Sequence, residues 1–116
     1  MILVVDDEPA IAEVIGSVLE DEGYTVTTAA DGAAALAYLR GGSPLPCIAF
    51  LDLMMPGMNG WELRQAMLAD PVLSEVPVVI VSAFAADDMG SLRSVAVVQK
   101  PFQLDQIVEL AARHCN

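Results

Sequence analysis

At 116 residues and 55% hydrophobic content, the chain is one domain with enough apolar surface to enclose a core, which excludes a disordered segment. Its 16 acidic residues against 5 basic ones give a formal charge of −11, which repels a phosphate backbone and an anionic bilayer, so neither direct nucleic-acid binding nor membrane attachment is expected. The apolar runs are strand-length and interrupted, far short of the ~20 residues of a membrane-crossing helix, and no signal peptide precedes the first core run; a soluble, cytoplasmic protein is expected.

Ile2-Leu3-Val4-Val5 reads as a buried parallel strand and ends at the acidic pair Asp6-Asp7. Pro9 suits the first turn of a helix, in which Ile11, Val14, Ile15, Val18 and Leu19 keep helical spacing until Gly23 stops it. Tyr24 to Ala29 alternates and predicts an outer second strand. Asp31 caps a small-residue helix carrying Leu36 and Leu39, which Gly41-Gly42 ends.

A third strand, Ile48-Ala49-Phe50-Leu51, runs into Asp52. After the Met54-Met55-Pro56-Gly57-Met58 loop, Asn59 and Glu62 have capping-box spacing for a helix to about Ala69, broken by Asp70-Pro71. Pro77 introduces a fourth strand, Val78-Val79-Ile80-Val81, ending at Ser82. From Ala83 to Ser94 the pattern is weak and interrupted by Gly90, so a short or irregular helix is expected. The fifth strand, Val95 to Gln99, leads to Lys100, and a last helix spans about Gln103 to Arg113 with Leu104, Ile107, Val108 and Ala111 facing inward. Alternating strands and helices predict an α/β fold built on a parallel sheet. Cys47 and Cys115 lack CxxC spacing and have only His114 nearby; they are read as two free thiols, not a disulfide or zinc site.

Asp6-Asp7, Asp52, Ser82 and Lys100 each follow an apolar run, which places them together at the carboxyl edge of the sheet, where open α/β folds bind ligands. Singly, each has an ordinary explanation: a helix start, a turn, a local backbone hydrogen bonder, a solvated cation. Jointly they make a site for a hard cation such as Mg²⁺ and a phosphoryl group. Asp7 and Asp52 are expected as direct ligands, Asp6 through water and Met54 through its carbonyl. Without the cation, at least one of the three carboxyl pKa values should rise. Asp52 is the expected acceptor, Lys100 neutralises charge on the transferred group, and Ser82 donates a hydrogen bond to it.

These motifs, Val4-Val5-Asp6-Asp7-Glu8, Leu51-Asp52-Leu53-Met54-Met55-Pro56-Gly57-Met58-Asn59-Gly60, Val81-Ser82-Ala83 and Lys100-Pro101-Phe102, closely resemble the receiver domain of bacterial two-component response regulators over essentially residues 1–116. The resemblance implies a doubly wound, flavodoxin-like three-layer sandwich with five parallel strands in the order 2-1-3-4-5 and five helices. It also implies Mg²⁺-dependent phosphotransfer to Asp52 from a sensor histidine kinase or phosphotransfer protein, a downstream protein partner or fused output domain, at most slow self-dephosphorylation, and a cis Lys100-Pro101 peptide.

Two departures stand out. Where the family commonly has an aromatic residue on the fifth strand this chain has Val97, so the usual aromatic switch has no ring to move. The stretch between Ser82 and Lys100 is also shorter than in most members by about four residues, roughly one helical turn. Phosphorylation is expected to order the Ala83 to Ser94 segment, with Met54 and Phe84 flanking the path of attacking water. Two rival functions are a phosphorylation-independent receiver-like scaffold and a small Mg²⁺-dependent phosphohydrolase, the latter lacking an obvious cap or general acid.

Overall fold

The computed structural model describes residues 1–41, 44–83 and 93–115. Five strands, β1 (Ile2–Val5), β2 (Val26–Ala29), β3 (Ile48–Asp52), β4 (Val78–Ser82) and β5 (Ala96–Gln99), form one sheet in the order β2-β1-β3-β4-β5. Every pairing is parallel. Four α-helices are described: α1 (Pro9–Asp21), α2 (Gly32–Arg40), α3 (Gly60–Leu68) and α4 (Leu104–His114). The architecture is the doubly wound flavodoxin-like one expected. The helix predicted between β4 and β5, and Phe84 with it, fall on residues 84–92 and lie outside the described residues.

The sheet is covered on both faces, which is why β1, β3 and β4 read as continuous apolar runs. Successive side chains still point to opposite faces. Leu3, Val5, Leu51 and Ile80 pack with Leu36 of α2 and with Leu63 and Met67 of α3. Ile2, Val4, Phe50 and Val81 pack with Ile15 and Leu19 of α1 and Ile107 of α4. Val97 joins the first of these clusters as a half-buried side chain.

The helix starts follow the chemistry of their caps. Pro9 occupies the first turn of α1. The Asp31 carboxylate accepts from the Ala34 N–H at 2.7 Å, and Asn59 with Glu62 forms the predicted reciprocal capping box. At the start of α4 the Gln103 N–H donates to Gln106 Oε1 at 3.1 Å, and the Gln106 N–H donates to the Gln103 carbonyl. A short 3₁₀ turn, Leu73–Glu75, precedes β4 and is set up by Asp70, whose carboxylate accepts from the Val72 and Leu73 N–H groups.

Some expectations are corrected. β2 begins at Val26, because Gly23, at φ +95°, turns the chain and the Tyr24 N–H donates back to the Leu19 carbonyl. Leu104 opens α4 and is 38% exposed, whereas Ile107 and Ala111 are fully buried. The reading of Cys47 and Cys115 as free thiols is overturned: they form a disulfide, with Cα atoms 5.4 Å apart across 68 residues of sequence. Spacing rules see only close neighbours in the chain. Here the pair meets because Cys47 precedes β3 while α4, packed alongside α1, carries Cys115 back to the amino edge of the sheet. Among the described residues no helix is long and apolar enough to cross a membrane.

Candidate functional site

Strand register assembles the site. Val5 pairs with Leu51, Asp52 with Val81, and Ser82 with Gln99, so the residues that end or follow these strands share the carboxyl edge. Asp6, Asp7 and Asp52 each place one carboxylate oxygen within 4.8 Å of the others. Asp6 and Asp52 are buried, while Asp7 is partly open to solvent. Three convergent hard oxygen donors suit a divalent cation that keeps part of its water shell.

Lys100 enters this cluster from β5. Its Nζ lies 3.3 Å from Asp6 Oδ2, 3.5 Å from Asp52 Oδ2 and 3.9 Å from Glu8 Oε1. Its backbone N–H donates to the Ser82 carbonyl at 2.7 Å, and the peptide to Pro101 is cis, as expected. Ser82 is wholly buried at the end of β4. Backbone donors orient the carboxylates: the Glu8 N–H donates to Asp6 Oδ1 at 2.9 Å, and the Met54 N–H to Asp52 Oδ1 at 3.3 Å. Met54 itself is 58% exposed.

Burial, then repulsion from Asp6, raises the Asp52 pKa above the ordinary carboxylate value; Lys100 and the Met54 N–H offset part of this, and Asp7 adds to it. For Lys100, burial acts to lower the pKa, but the Asp6 and Asp52 carboxylates together outweigh it and hold the ammonium above its usual range. The site thus carries a fixed cation beside a carboxylate that is reluctant to ionise without further positive charge.

Four contributors escaped the sequence reading. Glu8 reaches Lys100 as a third, mostly exposed carboxylate. Gly60 lets α3 start against β3: a Cβ there would lie 2.3 Å from the Asp52 carbonyl oxygen. Gly32 allows a similar approach to Met58, at 2.5 Å from its carbonyl oxygen. Arg64, almost entirely buried on α3, donates from Nη2 to the Arg93 carbonyl at 3.2 Å, where Arg93 adopts a left-handed φ of 51° just before β5. Burial, then repulsion by Arg93, lowers the Arg64 pKa. The capping box beside Gly60 was the available signal; nothing local marks the other contacts, which join residues distant in sequence.

A doubly wound parallel sheet with three carboxylates and a lysine gathered at its carboxyl edge defines a phosphoacceptor signalling module. The chain belongs to the response regulator receiver domain family, whose pattern residues 2–112 match. Members of this family are signalling phosphoacceptors of two-component systems, not turnover enzymes. Among similar proteins, the DNA-binding response regulator MtrA of Mycolicibacterium smegmatis is 40% identical over 111 residues, covering 92% of this chain and 46% of MtrA. The probable transcriptional regulatory protein TcrX of Mycobacterium tuberculosis is 34% identical with the same coverage. The chain therefore spans less than half the length of these relatives. Among solved structures, the response regulator TrrA of Thermotoga maritima, in complex with Mg²⁺-BeF, is 31% identical with a TM-score of 0.83, covering 97% of this chain and 96% of that one. The receiver domain of NtrX from Brucella abortus is 30% identical with a TM-score of 0.85, covering 98% and 97%.

Proposed function

We propose that residues 1–116 act as one receiver domain that accepts a phosphoryl group on Asp52 and so switches a protein partner or an attached output domain. The observation that carries this reading is the position of Asp52, buried, within reach of Asp6 and Asp7 and 3.5 Å from the Lys100 ammonium. Mg²⁺ fits the donor set, and the similar TrrA was solved with Mg²⁺-BeF. Asp7 and Asp52 would hold the ion directly, Asp6 through water, and the Met54 carbonyl would complete the protein's share. Bound there, the ion supplies positive charge to the phosphoryl oxygens.

In the transfer, the P–N bond of a phosphohistidine breaks as an O–P bond to the Asp52 carboxylate forms. Lys100 carries positive charge to the transferred group without itself reacting. Ser82 donates its hydroxyl hydrogen to a phosphoryl oxygen. New charge at the end of β3 then biases the neighbouring loops between two arrangements. Val97 offers no ring to follow that movement, so the readout uses other groups.

The donor is a sensor histidine kinase or a histidine phosphotransfer protein. A shallow apolar groove beside Lys100, lined by Ile11, Val14, Phe102 and Leu104, supports docking of a protein rather than of a small metabolite. MtrA is described as DNA-binding, but this chain matches only 46% of it, and a charge of −11 favours a domain that does not itself contact DNA. We place the domain in the cytoplasm, where ATP-derived phosphoryl groups are available; the reducing thiol pool there would open the Cys47–Cys115 bridge, which closes under oxidising conditions.

Intact mass after incubation with acetyl phosphate tests the reading. One Mg²⁺-dependent phosphoryl adduct, lost in Asp52→Asn, supports it. No adduct despite Mg²⁺ binding would instead indicate a phosphorylation-independent scaffold.

A further inference from the structure

The loop after Asp52 is held from two directions. At its base, the Gly60 N–H donates to the Leu53 carbonyl at 3.1 Å, closing the loop on itself. Met55 is buried in the core on the α2 and α3 side of the sheet, and Met58 packs against that core as a half-buried side chain. The outer limb is held by another element: the Gly32 N–H, at the first residue of α2, donates to the Met58 carbonyl at 3.0 Å.

This contact satisfies a donor that a helix start otherwise leaves without an intrahelical partner. The Asp31 carboxylate takes the Ala34 N–H and the Met58 carbonyl takes that of Gly32, so a loop carbonyl faces the positive end of α2. Only glycine permits it. A Cβ at Gly32 would stand 2.5 Å from the Met58 carbonyl oxygen and 2.8 Å from Met58 Cγ, and the first is backbone that cannot swing aside as a side-chain end can. The requirement is one of space.

We propose that Gly32 is a positioning residue for the reaction at Asp52: its hydrogen bond to the Met58 carbonyl holds the loop where the Met54 backbone meets the Asp52 carboxylate. The inference rests on reading the cluster around Asp52 as the metal and phosphoryl site. Adding a methyl at Gly32 moves the Met58 limb outward by about an ångström, and a misplacement of that size costs about 10²-fold in a positioned reaction. The Met54 N–H, 3.3 Å from Asp52, is the group through which that displacement is expected to reach the carboxylate.

The test compares the wild type, Gly32→Ala and Asp31→Ala. Asp31→Ala removes the side-chain cap of α2 without adding an atom against the loop. Each protein is followed by thermal unfolding, by Mg²⁺ titration read through Trp61 fluorescence, and by the rate of acetyl phosphate uptake in intact mass. Asp31→Ala should lower the melting temperature and leave Mg²⁺ affinity and uptake rate within about twofold. Gly32→Ala, at a temperature where it is folded, should bind Mg²⁺ several-fold more weakly and take up phosphoryl about 10²-fold more slowly.

A Gly32→Ala protein with wild-type affinity and rate overturns the inference. If that variant fails to fold, amide NMR of the wild type decides: the Gly32 resonance should move on adding Mg²⁺ and beryllofluoride while that of Ala34 stays, and an unmoved Gly32 resonance overturns the inference. A wild type that takes up neither Mg²⁺ nor phosphoryl overturns the reading of the site itself, and this inference with it.

Discussion

Lys100 and Asp6, 94 residues apart in sequence, meet at the carboxyl edge of the sheet with Nζ 3.3 Å from Oδ2. The same ammonium stands 3.5 Å from Asp52, so one cation balances two buried carboxylates before any metal arrives. It therefore competes with a divalent ion for the carboxylates and cooperates with it on a phosphoryl group. Lys100→Met should leave Mg²⁺ affinity unchanged or higher, and slow phosphoryl uptake by about 10²-fold. It should also lower stability by about 1–3 kcal/mol as the two carboxylates lose their partner. Calorimetric Mg²⁺ titration beside intact-mass kinetics separates these effects; weaker Mg²⁺ binding would contradict the competition.

The raised pKa of Asp52 has a consequence for stability. The folded state holds that proton more tightly than the unfolded chain does, so the contribution is present below the unfolded value of about 4 and is lost as pH rises through the folded one. Above the folded value the ionised carboxylate sits buried beside Asp6 at a net cost. Asp52→Asn should therefore melt higher than the wild type at pH 7, and the gap should close as the pH approaches 4. Mg²⁺ at a hundred times its dissociation constant should stabilise the wild type by about 2.7 kcal/mol and the variant by less. Melting curves across pH 4–8, with and without Mg²⁺, check both statements.

Two glycines should answer oppositely to alanine. Gly60→Ala drives a methyl to 2.3 Å from the Asp52 carbonyl oxygen and 2.8 Å from Leu53 Cα, both backbone, and should cost about 1–3 kcal/mol or more. Gly16→Ala, inside α1, meets only Val26 at an ordinary 3.6 Å and should stabilise by about 0.5–1 kcal/mol. Denaturant midpoints of the two variants provide the comparison.

The Cys47–Cys115 bridge closes a 68-residue loop, which on chain-entropy grounds contributes about 4 kcal/mol. Reduction, or Cys47→Ser, should lower the melting temperature on the order of 10–20 °C. The bridge lies at the amino edge of the sheet, away from Asp52, so Mg²⁺ affinity measured below the transition should not change.

The site was legible because its carriers are local. Buried parallel strands are continuous apolar runs, so their ends mark themselves, and Asp6, Asp52, Ser82 and Lys100 could be placed by counting to those ends. Asn59 and Glu62 likewise advertised the start of α3. What stayed hidden depends on contacts between distant segments. Cys47 meets Cys115 only when α4 packs beside α1, and Gly32 shows its need for a bare Cα only when the Met58 loop arrives. Leu104 was placed inside by helical spacing, but the first residue of a helix can project beyond the sheet it covers, and 38% of it is exposed.

The order in which the strands leave the ribosome has a bearing on the chemistry. Asp6 and Asp7 emerge with β1 and Asp52 with β3, but Lys100 follows β5, which pairs with β4 at the far side of the sheet from β2. From the addition of Asp52 until that of Lys100 the growing chain carries the three carboxylates of the pocket without their fixed cation. A chain in that condition lacks the lysine that balances Asp6 and Asp52, so competence to receive a signal arrives only when β5 has joined the sheet.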